Sequence, residues 1–269
     1  MNTAYDEQRV YPKQAVKWRT FGLLLVLSLI TSLFIIPYST TLTSLGNNVP
    51  GPILPLVVVT IISTFVFSSI AIAIGLWLGE QIGLGAPIIQ AWMAGDPHAL
   101  RRFRTELPIA MGLGFVTGVV LILLGAVVKP LLPTFQPTIT HPPVWQGLLA
   151  TISAAVNEEV RLRLGLMTLI AWGLTRIVGG KYVGQGAGWT SIILAALVFG
   201  ALHLPLASTL MGLSLPVVVS VLVGNGLAGI SFGWLYWRRS LLAAMIAHFT
   251  TDIILHVLAP ILSSISYRP

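Results

Sequence analysis

The stretch Ala154-Ala155-Val156-Asn157-Glu158-Glu159-Val160-Arg161-Leu162-Arg163 sets four charges inside an apolar run that extends from Trp145 to Leu174. A charge at the centre of a membrane helix costs roughly 2.5 to 3.5 kcal/mol on insertion scales, so charges gathered in one segment need partners on others. Two later runs supply them. Phe199-Gly200-Ala201-Leu202-His203 and His248-Phe249-Thr250-Thr251-Asp252 place two histidines and a further carboxylate among apolar residues. The economical reading is one polar site inside a helical bundle.

The rest of the chain fits that setting. With 55% hydrophobic and 9% charged residues and a mean hydropathy of +0.89, it is expected to be an all-α, polytopic transmembrane helical bundle. Apolar runs lie at about Phe21 to Pro37, Leu54 to Leu78, Pro108 to Val128, Trp145 to Leu174, Trp189 to Leu206, Leu215 to Trp237 and Leu241 to Leu262, which predicts about seven helices. The first run follows a polar start and lacks a small-x-small pattern at its far end, so it reads as an anchor and not a cleavable signal. The segment from Asp96 to Arg104 reads as a juxtamembrane helix with Asp96 at the N-cap and Pro97 at the first helical position.

Loop charges predict the orientation. Of the 15 Lys and Arg residues, 11 fall on one side if the N-terminus is cytoplasmic: Arg9, Lys13, Lys17, Arg19, Arg101, Arg102, Arg104, Arg176, Lys181, Arg238 and Arg239. Only Lys129 and Arg268 fall on the other, and Arg161 and Arg163 lie within the fourth run. This asymmetry predicts a cytoplasmic N-terminus facing an anionic leaflet. The basic residues form no stripe with interleaved aromatics, so nucleic acid is not expected as a partner. With no cysteine there is no thiolate nucleophile or thiolate metal ligand. The compact, cysteine-free chain points to a bacterial plasma membrane.

Helical geometry separates the two glutamates. Glu159 and Arg163 are four apart, on one face, with the acid N-terminal to the base. Glu158, rotated about 100° away, is left without its own cation and free to point into the bundle as a general base. The competing reading is a static cluster in which both glutamates pair with Arg161 and Arg163. His248 and Asp252 are also four apart and share a face, and His256 continues the register with a structural role expected. His98 and His141 lie in expected loops without assignment. Counting residues sets Glu158 and His248 roughly 10 to 15 Å below the cytoplasmic helix ends, whereas His203 falls at about 20 Å. A shorter fifth helix, a strong tilt or a break before Pro205 would bring them level.

In this order on successive segments, Glu158-Glu159-x-x-x-Arg163, Phe199-x-x-x-His203 and His248-x-x-x-Asp252 resemble the signature of the CPBP intramembrane protease family, which includes CAAX proteases and proteins of bacteriocin processing or self-immunity. The run from Gly226 to Tyr236 is also similar to that family. The resemblance covers a protease core (145–262), and the chain around it is expected to divide into a cytoplasmic N-terminal segment (1–20), N-terminal membrane helices with loops (21–144) and a C-terminal tail (263–269). It implies hydrolysis of peptide bonds in membrane-associated peptides or proteins. Glu158 would activate water, His203 would hold it, and His248 and Asp252 would stabilise the oxyanion or position the carbonyl. Glu159 and Arg163 would orient Glu158, and Asp252 would orient His248. The resemblance leaves metal dependence open: a zinc ion would take Glu158, His203 and His248 as ligands, and the metal-free glutamate mechanism is preferred because no His-Glu-x-x-His motif is present. The alternatives are a catalytically inactive scaffold or immunity protein and a proton-coupled transporter, the latter disfavoured by the absence of an internal repeat.

Overall fold

The computed structural model describes residues 14–47, 52–132 and 142–266. Arg9, Lys13, His141 and Arg268, used above, lie outside the described residues. Helix α1 (Gln14–Ser32) continues through a 3-10 turn into α2 (Ile36–Asn47), and α3 (Ile53–Ala73) runs on through a π turn and a 3-10 turn to Ile82. A short α4 (Pro87–Met93) precedes the long α5 (Ala99–Val128). The charged run forms α6 (Val144–Glu158), a π-helical segment (Glu159–Met167) and α7 (Thr168–Ile177) without interruption. Next come α8 (Gln185–Leu202), α9 (Leu204–Met211), α10 (Leu215–Arg238), α11 (Leu241–Ile253) with a π turn to Leu258, and α12 (Ala259–Ser266). The described residues contain no strand.

Six helices among the described residues are long and apolar enough to cross a membrane, not the seven expected. The one that falls out is the fourth run: it is helical from Val144 to Ile177, but Glu158, Glu159, Arg161 and Arg163 remove it from the apolar class. It lies against α3, α8 and α11, so its charges face protein. The outward faces of the spanning helices carry Leu54, Val59, Phe67, Leu123, Val127 and Leu197, all exposed, as suits lipid contact.

The juxtamembrane helix is also corrected. Asp96 is not an N-cap: α5 begins at Ala99 and runs straight into the membrane-spanning stretch. Asp96 instead accepts the His98 N–H at 2.8 Å and pairs with Arg102 at 2.9 Å, closing the turn before the helix.

Lipid gives helices little hydrophobic reason to associate, so their packing relies on small residues that let backbones approach. Along α8 and α10, Gly188 lies on Trp237, Gly233 on Ile192, Gly229 on Ala196 and Gly200 on Leu222, which zips the two antiparallel helices together. Gly114 of α5 does the same for α11, and a Cβ there would sit 2.4 Å from the Ala247 carbonyl oxygen, one residue from His248. The start of α11 is pinned to α5 as well: Ser240 caps Ala243 N at 3.1 Å and donates to the buried Glu106. Lys17 of α1 pairs with Glu80 beyond α3.

Gly114→Ala is therefore expected to destabilise the folded protein by about 1 to 3 kcal/mol through overpacking. Gly112→Ala, where a Cβ would meet nothing within 4 Å, should be neutral or stabilising by up to about 1 kcal/mol. Thermal melting in detergent compares the two, and equal Tm values would contradict the close α5–α11 contact.

Candidate active site

The site grows from the π-helical segment. A π turn bonds N–H groups to carbonyls five residues back and is an uncommon device often found where a helix carries function. Here it is held by a chain of hydroxyls. Thr168 Oγ1 donates to the Arg163 carbonyl at 3.1 Å, so the 2.6 Å contact between Thr168 and Tyr236 has Tyr236 as donor. Tyr236 Oη in turn accepts the Gly85 N–H at 3.0 Å.

This segment buries Arg163 and Glu159 as a pair. Their side chains are 1% and 0% exposed, with Arg163 Nη1 at 3.0 Å from Glu159 Oε1. The guanidinium lies between the rings of Phe199 and Phe232, 5.0 and 5.4 Å from their centroids, and Nη2 donates to the Gly229 carbonyl at 3.2 Å. Close α8–α10 packing thus supplies both the aromatic walls and the carbonyl for the cation. Asn157, two residues before Glu159, ties α6 to α1 by donating to Thr31 Oγ1 at 3.0 Å.

Glu159 faces His248 and not Glu158. His248 Nδ1 donates to Glu159 Oε1 at 2.8 Å, and Phe232 stacks on the imidazole at 4.7 Å and 18°. The carboxylate holds one nitrogen and the ring holds the plane. His248 Nε2 then points to the opposite side, 3.5 Å from Asp252 Oδ2 and 3.8 Å from Glu158 Oε2. Asp252 and Glu158 therefore share the Nε2 edge of the imidazole and Glu159 occupies the Nδ1 edge. Glu158 is the accessible member of the acidic pair, at 33% side-chain exposure.

His203 sits in the break between α8 and α9, before Pro205. Its Nδ1 donates to the Phe199 carbonyl at 2.8 Å, since a carbonyl only accepts, and its ring meets Phe199 edge-on at 4.9 Å. The ring is thereby turned back one helical turn toward the level of His248, which Phe199 also touches at 6.0 Å. His203 lies within electrostatic range of Glu158 and Asp252. A break before Pro205, one of the three ways of levelling the site, is present.

All six candidate residues, Glu158, Glu159, Arg163, His203, His248 and Asp252, thus come to one place. Arg161 departs from the static cluster: it pairs with neither glutamate and turns to α3. His256 reaches Tyr38 at 3.5 Å through Nδ1, beyond Asp252. Among the described residues, no group of three or more His, Asp or Glu side chains is arranged to hold a metal ion, and Glu158, His203 and His248 do not form such a set. Phe232, Gly229, Thr168 and Tyr236 were not picked out as site residues. The spacing Gly229, Phe232, Gly233, Tyr236 on one face of α10 was the signal available.

The family model for type II CAAX prenyl endopeptidases, Rce1-like, matches residues 140–254. No curated protein matches the chain significantly, and neither does any solved structure. The matched segment contains every candidate residue from Glu158 to Asp252, in the order and spacing that the sequence shows. Residues 140–254 of this multi-pass membrane protein are thus similar to the Rce1-like CAAX prenyl endopeptidases.

Proposed function

We propose that the protein is an intramembrane endopeptidase that cleaves membrane-associated peptides with a water molecule activated by Glu158, its core spanning 145–262. One observation carries this reading: of two adjacent glutamates, Glu159 is sealed and neutralised by Arg163, whereas Glu158 is reachable and faces His248. Glu158 accepts a proton from water as its oxygen attacks the scissile carbonyl carbon. His203, with Nδ1–H committed to the Phe199 carbonyl, offers Nε2 to hold that water. His248, protonated on both nitrogens, donates through Nδ1 to Glu159 and through Nε2 to the developing oxyanion, with Asp252 balancing its charge. Glu158 then returns the proton to the leaving nitrogen as the C–N bond breaks, so the site is regenerated. In this scheme Glu159 and Arg163 orient His248, and no step passes through a metal.

The loop charges support a cytoplasmic N-terminus against an anionic leaflet of a bacterial plasma membrane. Peptide substrates follow from the family.

Glu158→Gln is expected to lower cleavage of a fluorogenic farnesylated CAAX-type peptide by about 100-fold to 10,000-fold, with the melting temperature unchanged. Function retained in a living assay while that folded variant cleaves nothing would favour a binding scaffold. Arg163→Met leaves the buried Glu159 carboxylate with His248 as its remaining partner and should cost about 3 to 5 kcal/mol. The double variant Glu159→Gln/Arg163→Met should recover much of that stability but not the activity, because His248 loses the carboxylate that holds its Nδ1. Melting and peptide cleavage measured on the same samples check both halves, and full activity in the double variant would contradict the orienting role.

A further inference from the structure

The membrane-spanning helices that end at Ile82 and at Arg238 come together around a recess of about 170 Å³. Its walls are Ile82, Gly83 and Leu84, then Tyr182 and Val183 of the loop between α7 and α8, then Trp237 of α10. The Val183 N–H holds the loop there by donating to the Ile82 carbonyl at 3.2 Å. Trp237 is fixed by α8, where a Cβ on Gly188 would come within 2.5 Å of the indole.

Each of the two aromatic walls carries a cation. Arg238 Cζ lies 3.9 Å from the centroid of the Trp237 ring, and Lys181 Nζ lies 5.2 Å from that of Tyr182. A ring face attracts and orients a cation but leaves its charge in place. Among the described residues Arg238 forms no ion pair, and Glu80, the carboxylate nearest in sequence to the recess wall, is taken by Lys17. A guanidinium and an ammonium beside one recess suit a phosphate ester, whose oxygens accept from both.

The surroundings select the source of that phosphate. Ile82 and Arg238 are the last residues of their spans, the level at which lipid headgroups begin. Ile177 and Val178, where the same loop leaves α7, are 81% and 75% exposed. Large apolar side chains at such a rim mark contact with membrane. A free phosphate would use the cations and leave this apolar pair in water.

We infer that the recess binds the headgroup of an anionic phospholipid, with Arg238 and Lys181 on the phosphate and the acyl chains leaving past Ile177 and Val178. The loop charges assign the lipid to the cytoplasmic leaflet. This binding is independent of the chemistry at Glu158. It is nevertheless placed to brace the site: Leu84 precedes Gly85, whose N–H donates to Tyr236 Oη at 3.0 Å, and Tyr236 precedes Trp237. A seated headgroup thus touches both neighbours of the bond that locks the π-helical segment, and the folded state gains its binding free energy.

The test titrates delipidated full-length protein in detergent with phosphatidylglycerol, phosphatidylcholine, inorganic phosphate and a soluble poly-glutamate peptide, counting bound molecules by native mass spectrometry. The first phosphatidylglycerol should bind at least about tenfold tighter than phosphatidylcholine and should raise the Tm. Arg238→Gln/Lys181→Gln changes two exposed side chains and should bring phosphatidylglycerol down to the level of phosphatidylcholine, with the Tm rise abolished. Arg101→Gln/Arg104→Gln, also exposed and outside the recess, should leave the first equivalent unchanged. Equal binding of the two lipids, or equal weakening by both pairs of substitutions, overturns the inference and leaves only diffuse attraction to the leaflet. Inorganic phosphate or poly-glutamate binding as tightly as phosphatidylglycerol also overturns it and assigns the cations to a soluble anion.

Discussion

The Arg163–Glu159–His248 chain is the constraint on which the rest of the structure depends. Two opposite charges about 3 Å apart attract by roughly 5 kcal/mol at an effective dielectric of 20. Removing each from water costs several kcal/mol, so the pair alone does not break even. The deficit is met by the surroundings: the Gly229 carbonyl and the faces of Phe199 and Phe232 for the cation, and the His248 ring for the anion. Each of these comes from a different helix than the pair itself. Helices α8, α10 and α11 must therefore be seated before the charges are tolerable, which couples assembly of the bundle to assembly of the site.

The close helix contacts are best understood in this light. Gly229 brings α10 against Ala196 of α8 and at the same place leaves its carbonyl open to Arg163. Gly114 lets α5 approach α11 beside His248. The π-helical segment, locked by Thr168 and Tyr236, sets the rotation at which Glu159 is sealed while its neighbour stays accessible. A single pair of adjacent glutamates is thus divided into a sealed acid and an accessible one by position alone.

Much of this was legible in the sequence because charge is so rare in such a chain. Glu159 with Arg163 and His248 with Asp252 stand at helical spacing in apolar runs, and both pairs are in contact. The helix count differed at Trp145 to Leu174, which is helical throughout but carries Glu158, Glu159, Arg161 and Arg163 and so is not apolar enough to count as a span. The partner of Glu159 across the bundle was also not readable. Which carboxylate His248 Nδ1 meets depends on the rotation of two helices about their axes, and the π segment alters that rotation without a pattern that periodicity reveals. Asp96 misled for a local reason: its side chain closes the turn before α5 instead of capping it.

In the proposed reaction Glu158 moves a proton to and from water and never forms a bond to the substrate. Single-turnover cleavage of the farnesylated peptide in oxygen-18 water, followed by mass spectrometry of the product and of the Glu158-containing fragment, tests this directly. Direct attack by water predicts one labelled oxygen in the new product carboxylate and none in Glu158. Label found in Glu158, with unlabelled product, would mean an acyl intermediate on the glutamate and would contradict the mechanism.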